Sequence, residues 1–238
     1  MARFYLPPAA WTAAPVLTGE EARHLVQVLR IQPGAAITVF DGHGRRATAV
    51  VLTATRDQVT LQLGAVLSPP APRPVITLAQ AIPKGKNMDL IVQKAVELGV
   101  AAIQPLVTNH TIVQPADHKA AKWRRNALEA CKQCGQDTLP VIAEPMAFIP
   151  WLVSQGVADG LRLIASLAPG ARPLHEVLPA HPATTAVTLL VGPEGDFSPT
   201  ETAQALAAGF LPVSLGAITL RVETATIFCL AVLRYEFA

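Results

Sequence analysis

Residues 187–225 read VTLLVGPEGDFSPTETAQALAAGFLPVSLGAITLRVETA, and this stretch decides the fold. Its first five residues, Val187–Val191, are an apolar run closed by Gly192 and Pro193. A run this short between breakers predicts a strand buried on both faces. The loop after it, Gly192-Pro-Glu-Gly-Asp196, holds two glycines and two carboxylates. Helix-start signals come at once. Ser198 is an N-cap, Pro199 suits the first helical position, and Glu201 stands three residues after Ser198, the spacing of a capping box. The helix is expected to stop near Gly209. A second buried strand, Leu211–Leu215, ends at Gly216, and the loop Ala217–Thr224 then carries Arg221 and Glu223. A last apolar helix runs to Tyr235. Both loops fall at the carboxyl ends of expected parallel strands, where open α/β sheets bind ligands.

Working outward toward the N-terminus, strands and helices keep alternating. Strands are expected at Val75–Ala81, Ala101–Val107, Val141–Ala143 and Leu161–Ser166. Helices are expected from Asn87, as cap, to Leu98 with Gly99 as stop, over Ala116–Gly135, near Ala147–Gln155 and around Arg172–Leu178. This alternation predicts an α/β domain over residues 75–238 with a mainly parallel sheet covered on both faces. Before it, Ser68-Pro-Pro-Ala-Pro-Arg-Pro74 reads as a linker, since proline continues neither a helix nor a central strand. Residues 1–67 read as a small β-rich domain. Strands are expected at Arg3–Leu6, Ala36–Asp41, Arg45–Thr53 and Gln58–Val66. A capping box at Thr18-Gly-Glu-Glu21 opens one helix through Ala22, Leu25, Val26, Val28 and Leu29.

Composition narrows the class. Hydrophobic residues make up 51%, which excludes global disorder. A net charge of +2 is too small to announce a nucleic-acid binder, so any RNA contact must come from local patches. Three cysteines, an odd and small number, fit a reducing cytoplasm rather than a disulfide framework. Cys131 and Cys134 form a CxxC without a second pair or a nearby histidine, so no metal site is expected and two small residues on one helix face explain it. No signal-peptide core follows MARFYLPPAAW, and no apolar run approaches the about 20 residues of a membrane span.

The residues that could carry chemistry cluster in the two loops. Gly192 and Gly195 allow close backbone approach to a ligand, or serve a tight turn alone. Glu194 and Asp196 would repel phosphate, and the glycine spacing is not that of a dinucleotide site. Arg221 can stabilise developing negative charge or hold a phosphate. Glu223 can act as a base only with its pKa shifted upward, and can equally pair with Arg221 or sit favourably at the start of the last helix. Basic residues gather elsewhere: Lys119, Lys122, Arg124, Arg125 and Lys132 on one helix, Lys84 and Lys86 around a glycine, and Arg30. They suit phosphate contact, and also an ordinary solvated surface. Trp123 could stack on a base or belong to the core.

GPEG followed by LG–x3–LR–x–ETA resembles the SPOUT RNA methyltransferases, and within them the enzymes that methylate N3 of a uridine in 16S ribosomal RNA. His24–Arg30 (HLVQVLR), Lys84–Val100 (KGKNMDLIVQKAVELGV) and Glu129–Gly135 (EACKQCG) match the same family in order. The resemblance implies a PUA-like RNA-binding β-barrel over 1–67 and a SPOUT domain over 75–238 with a C-terminal trefoil knot. It implies S-adenosylmethionine as cofactor, whose sulfonium and ammonium suit a loop rich in carboxylates. The cofactor would lie among Leu190, Gly192, Pro193, Glu194, Gly195, Leu215, Gly216, Leu220 and Ala225, with Arg221 and Glu223 as catalytic candidates. Arg30, Lys84, Lys86, Arg124 and Arg125 would be RNA contacts. A cytoplasmic homodimer acting on 16S rRNA or the small ribosomal subunit is implied, with Ile227, Leu230, Val232 and Leu233 suited to a dimer face or to a core. The chain departs from the family pattern at His110 and Gln136, where arginines are usual, and at Asp196, where glycine is usual. A different SPOUT reaction, on a ribose 2′-hydroxyl or another base, and a non-catalytic RNA-binding assembly factor are the competing readings.

Overall fold

The structure is a computed structural model that describes residues 1–70, 73–112, 119–156, 160–168 and 170–237. The chain forms two compact units. The first is Met1–Ala71 together with Leu128–Leu139; the second is Pro72–Ala127 with Pro140–Ala238. Residues 128–139 therefore pack with the N-terminal unit rather than with the rest of residues 75–238. Ala71 and Pro72 of the expected linker lie outside the described residues.

The first unit is a curled five-stranded sheet. Its strands are β1 (Arg3–Tyr5), β2 (Val16–Thr18), β3 (Ala36–Phe40), β4 (Arg46–Ala54) and β5 (Gln58–Leu67), in the order β1-β3-β4-β5-β2. β1 runs parallel to β3 and the other pairs are antiparallel. Alternation along β4 turns Ala47, Ala49 and Val51 into a core shared with Phe4, Leu17, Leu25, Ile37 and Leu61. β2 was not expected, because three residues are too few to show a period. The helix after it, α1 (Gly19–Arg23), continues as a π-type turn over His24–Val28. Ala22 and Leu25 face inward, whereas Val28 and Leu29 are exposed. The expected capping box at Thr18 does not form. Gly19 at φ +61° bends the chain there, the Thr18 side chain makes no cap bond, and a Glu21 carboxylate oxygen accepts the Tyr5 amide instead (3.1 Å).

The second unit is an eight-stranded sheet, parallel throughout. Its strands are β6 (Val75–Ala81), β7 (Ala102–Val107), β8 (Val141–Ile142), β9 (Met146–Ala147), β10 (Leu161–Ala165), β11 (Arg172–Pro173), β12 (Ala186–Val191) and β13 (Leu211–Ser214). They lie in the order β11-β13-β10-β12-β6-β7-β8, with β9 also on β7. The helices are α2 (Asn87–Glu97), α3 (Lys119–Cys134), α4 (Phe148–Ser154), α5 (Leu174–Val177), α6 (Pro199–Ala207) and α7 (Val222–Glu236). The start expected for α3, Ala116–His118, lies outside the described residues. The helix expected at Arg172 begins two residues later, since Arg172 and Pro173 pair with β13. On α7, Leu230 and Leu233 are fully buried core residues, Ile227 and Val232 are half-buried, and the large exposed apolar side chains are Phe228 and Tyr235.

The central strands explain the position of the site. β12 is flanked by β10 and β6, and β13 lies beyond β10. In a parallel sheet their carboxyl ends share one edge, and the loops after β10, β12 and β13 leave from it. The loop after β12 is anchored by Phe197, which packs with Phe148 at 5.3 Å between ring centroids in a cluster with Trp151 and Phe210. Burying one such ring stabilises by roughly 2–3 kcal/mol.

Candidate active site

The loop after β12 folds tightly on itself. A Cβ at Gly192 would come within 2.9 Å of Asp196 Oδ1 and 3.2 Å of its Cα, so any larger residue there would push the loop apart. Asp196 takes φ +56°, the left-handed region that glycine occupies freely. Aspartate tolerates it with a local hydrogen bond, and Oδ1 accepts the Phe197 amide at 2.8 Å. Gly195 faces His110, whose Cβ would lie 3.1 Å from an added methyl. His110 Nδ1 is 2.8 Å from the Gly195 carbonyl and 2.9 Å from that of Asp196. Both partners accept, so Nδ1 carries the proton and donates. Two of the three departures from the family pattern, His110 and Asp196, thus meet in one loop contact.

The capping box forms as expected. The Glu201 amide donates to Ser198 Oγ, and Glu201 Oε2 accepts from the Ser198 amide at 2.9 Å. Glu201 Oε1 also accepts the Asn109 amide at 2.9 Å, which ties the end of β7 to the start of α6.

Between the loops lies a cavity of about 460 Å³. Val191, Gly192, Pro193, Glu194 and Asp196 line it from the first loop; Leu215, Gly216, Leu220, Arg221, Glu223 and Ala225 line it from the second. Of the expected cofactor residues, Leu190 and Gly195 are not in its wall: Leu190 is buried in the core under the sheet edge, and Gly195 is turned to His110. Sequence reasoning missed Ala165, Ser166 and Leu167 at the end of β10, and also Val191, Ile218, Thr219, Val222 and Asn87. The rule that ligands gather at the carboxyl ends of parallel strands pointed to the end of β10 as well.

Asn87 is the first residue of α2 rather than its cap, and Lys86 occupies the N-cap without a side-chain bond. The Asn87 carboxamide turns away from its own helix, and Nδ2 donates to Glu223 Oε2 at 3.1 Å. The main-chain amide of Lys84 donates to Glu194 Oε1 at 2.9 Å. One segment, Lys84–Asn87, thus holds a carboxylate from each loop. Glu223 is in the first turn of α7, and among the described residues neither it nor Arg221 makes an ion pair. Arg221 is exposed at the N-cap of α7 and, among the described residues, is the only cationic side chain in the cavity wall.

The basic helix is less available than its sequence suggests. Lys132 is half-buried between Glu21 and Glu129, which hold its ammonium in the charged form against the cost of burial and raise its pKa. Arg124 donates to the Ile142 carbonyl and pairs with Glu144. Lys122 pairs with Asp89, and Trp123 is core. Lys84, Lys86, Arg125 and Arg30 are exposed. Burial pushes the Cys131 thiol up to about 12, with Cys134 adding to the shift, which leaves it an unreactive thiol at neutral pH. Among the described residues, no histidine, cysteine, aspartate or glutamate cluster could hold a metal ion, and no helix is long and apolar enough to cross a membrane.

The chain is similar in sequence and fold to known proteins. The family model described as RNA methyltransferase domain matches residues 69–234, and that described as RNA methyltransferase PUA domain matches residues 17–64. A ribosomal RNA small subunit methyltransferase E from Synechocystis is 33% identical, over 92% of this chain and 72% of its own. A solved ribosomal RNA small subunit methyltransferase E from Neisseria gonorrhoeae, bound to S-adenosyl methionine, is 34% identical, with TM-score 0.89 over 99% of this chain and 97% of that one. A methyltransferase structure from Legionella pneumophila in complex with the cofactor SAM is 35% identical, with TM-score 0.87 over 98% and 97%.

Proposed function

This chain belongs to the RNA methyltransferase family, and from that premise we propose that it methylates N3 of a uridine in 16S ribosomal RNA with S-adenosylmethionine. The observation that carries the reading is the cavity at the carboxyl ends of β10, β12 and β13, walled by Glu194, Asp196 and Glu223. Its volume is in the range of small-molecule sites. Three carboxylates disfavour a phosphate and favour a ligand with positive charge. Apolar wall residues such as Val191, Leu215 and Leu220 suit the rest of a nucleoside. The site thus fits S-adenosylmethionine, which when bound supplies an electrophilic methyl group.

The chain's own residues do the remainder. A uracil N3 becomes nucleophilic when its proton leaves, and in this reading the Glu223 carboxylate accepts it. The negative charge then spreads onto the flanking carbonyl oxygens, and the Arg221 guanidinium is the group able to face it. The N-terminal unit would position RNA, with Arg30 there and Lys84, Lys86 and Arg125 in the second unit as phosphate contacts. Arg124 is left out, because Ile142 and Glu144 already engage its guanidinium. A cytoplasmic homodimer and a knotted C-terminal crossing belong to the same reading, on family resemblance.

The test is to incubate the protein with labelled S-adenosylmethionine and small ribosomal subunits lacking the modification, then to digest the RNA. Label is expected in 3-methyluridine. Arg221→Ala should cut kcat about 100-fold while cofactor binding persists. Label in another nucleoside would keep the enzyme class and sink the uridine assignment. No label, with cofactor and RNA both bound, would favour an assembly factor without turnover.

A further inference from the structure

We propose that Asn87 is a positioning residue for this reaction: its Nδ2–H holds one oxygen of the Glu223 carboxylate and leaves the other as the acceptor for the proton on the base nitrogen. The inference rests on the reading of Glu223 given above and adds to it a residue from a different element of the cavity wall.

Four observations carry it. Asn87 and Glu223 both line the cavity, and they are 136 residues apart in the chain. The bond between them is 3.1 Å, and since an ionised carboxylate only accepts, the amide orientation is fixed with Nδ2 toward Glu223. Asparagine at a helix start ordinarily caps the helix. Here it stands one residue inside, α2 has no side-chain cap, and the carboxamide points to another element. Among the described residues, Asn87 is the only side chain that hydrogen-bonds to Glu223. A carboxylate on a flexible two-carbon stem must be held in one rotamer to act as a base, and proton transfer demands hydrogen-bond reach. A donor on Oε2 does this and directs Oε1 as the free acceptor. It also favours a base that presents an N–H, as uracil does at N3, over one that presents a lone pair there, as cytosine does.

The test is a double-mutant cycle read by single-turnover methyl transfer, with S-adenosylmethionine affinity measured by calorimetry on each variant. Glu223→Ala should lose about 100-fold or more in rate. Asn87→Ala should lose about 10-fold in rate with cofactor affinity within about twofold of wild type, and Asn87→Gln, which keeps the carboxamide, should recover part of the loss. In the Glu223→Ala background, Asn87→Ala should cost nothing further, because groups that act as a unit are not additive. An equal loss in both backgrounds would show that Asn87 does not work through Glu223 and would overturn the proposal. So would a rate loss matched by weakened cofactor binding, which a merely structural role predicts. Wild-type rate in Glu223→Ala alone would place the failure in the reading of Glu223 as base, and the proposal would fall with it.

Discussion

Asp41 is fully buried and charged, and the turn Asp41–Arg45 is built to hold it. Oδ1 accepts the His43 and Arg45 amides at 2.8 and 2.9 Å, while Oδ2 accepts Arg45 Nε at 2.6 Å. Burial pushes this carboxyl up, but the Arg45 side chain and the two amides outweigh burial and hold it below its ordinary value. Such a group stabilises the fold above its unfolded value of about 3.9 and loses that contribution as pH falls through the lower folded value. An asparagine in its place would keep an Oδ1 for the two amides but turn a donor toward Arg45. Asp41→Asn is therefore expected to cost about 1–3 kcal/mol at pH 7 in urea unfolding. The gap to wild type should close as pH falls below about 4. A gap that stayed constant down to a pH of about 2.5 would mean that the charge has no part in it. This turn was legible as a glycine turn from Asp41-Gly-His-Gly44. The burial of its aspartate was not, because the turn is packed at Gly42 against Tyr5, Thr138 and Leu139, which lie far from it in the chain.

Among elements, α6 was the most legible, because its start is written within four residues. Ser198, Pro199 and Glu201 form the cap that their spacing predicts. What the sequence could not show is that Glu201 also accepts from Asn109, 92 residues away. Glu201→Ala leaves the amides of Ser198 and Asn109, both in half-buried bonds, without their acceptor and should cost roughly 2–4 kcal/mol, whereas Ser198→Ala, which removes the cap bond and the exposed or half-buried bonds of its Oγ to Asn109 Nδ2 and Glu201 Oε2, should cost about 1 kcal/mol. Denaturant midpoints of the two variants check this. Equal small losses would mean that the bond from the Asn109 main-chain amide contributes nothing. The same division runs through the other elements. Thr18-Gly-Glu-Glu21 has the same local spelling as the α6 box, yet Glu21 is drawn to Tyr5 and Lys132 and no box forms. Asn87 was read as a cap for the same local reason, and a partner on α7 claims it instead. The strands β2, β9 and β11 have two or three residues each, too few for any period, and only their sheet neighbours define them.

At the scale of the whole molecule, the candidate cofactor site lies in one unit, because all its wall residues come from 72–127 and 140–238. The chain nonetheless passes from that unit to the other and back: α3 begins in the second unit, and its last turns, with residues up to Leu139, pack in the first. A ligand that binds only the folded cavity stabilises whatever unfolds with it. At about 100 times its dissociation constant the stabilisation is about 2.7 kcal/mol. For a folding unit of this size that raises the melting midpoint by roughly 5–10 °C. The three tryptophans make the spread of this effect measurable, because Trp11 lies in the first unit while Trp123 and Trp151 lie in the second. In chains that keep a single tryptophan, S-adenosylmethionine should raise the midpoint seen by Trp151 by that amount and the midpoint seen by Trp11 by less. No shift at Trp151 would remove the cofactor from the cavity. Equal shifts at both would refute independent melting and mean that the whole chain unfolds as one block.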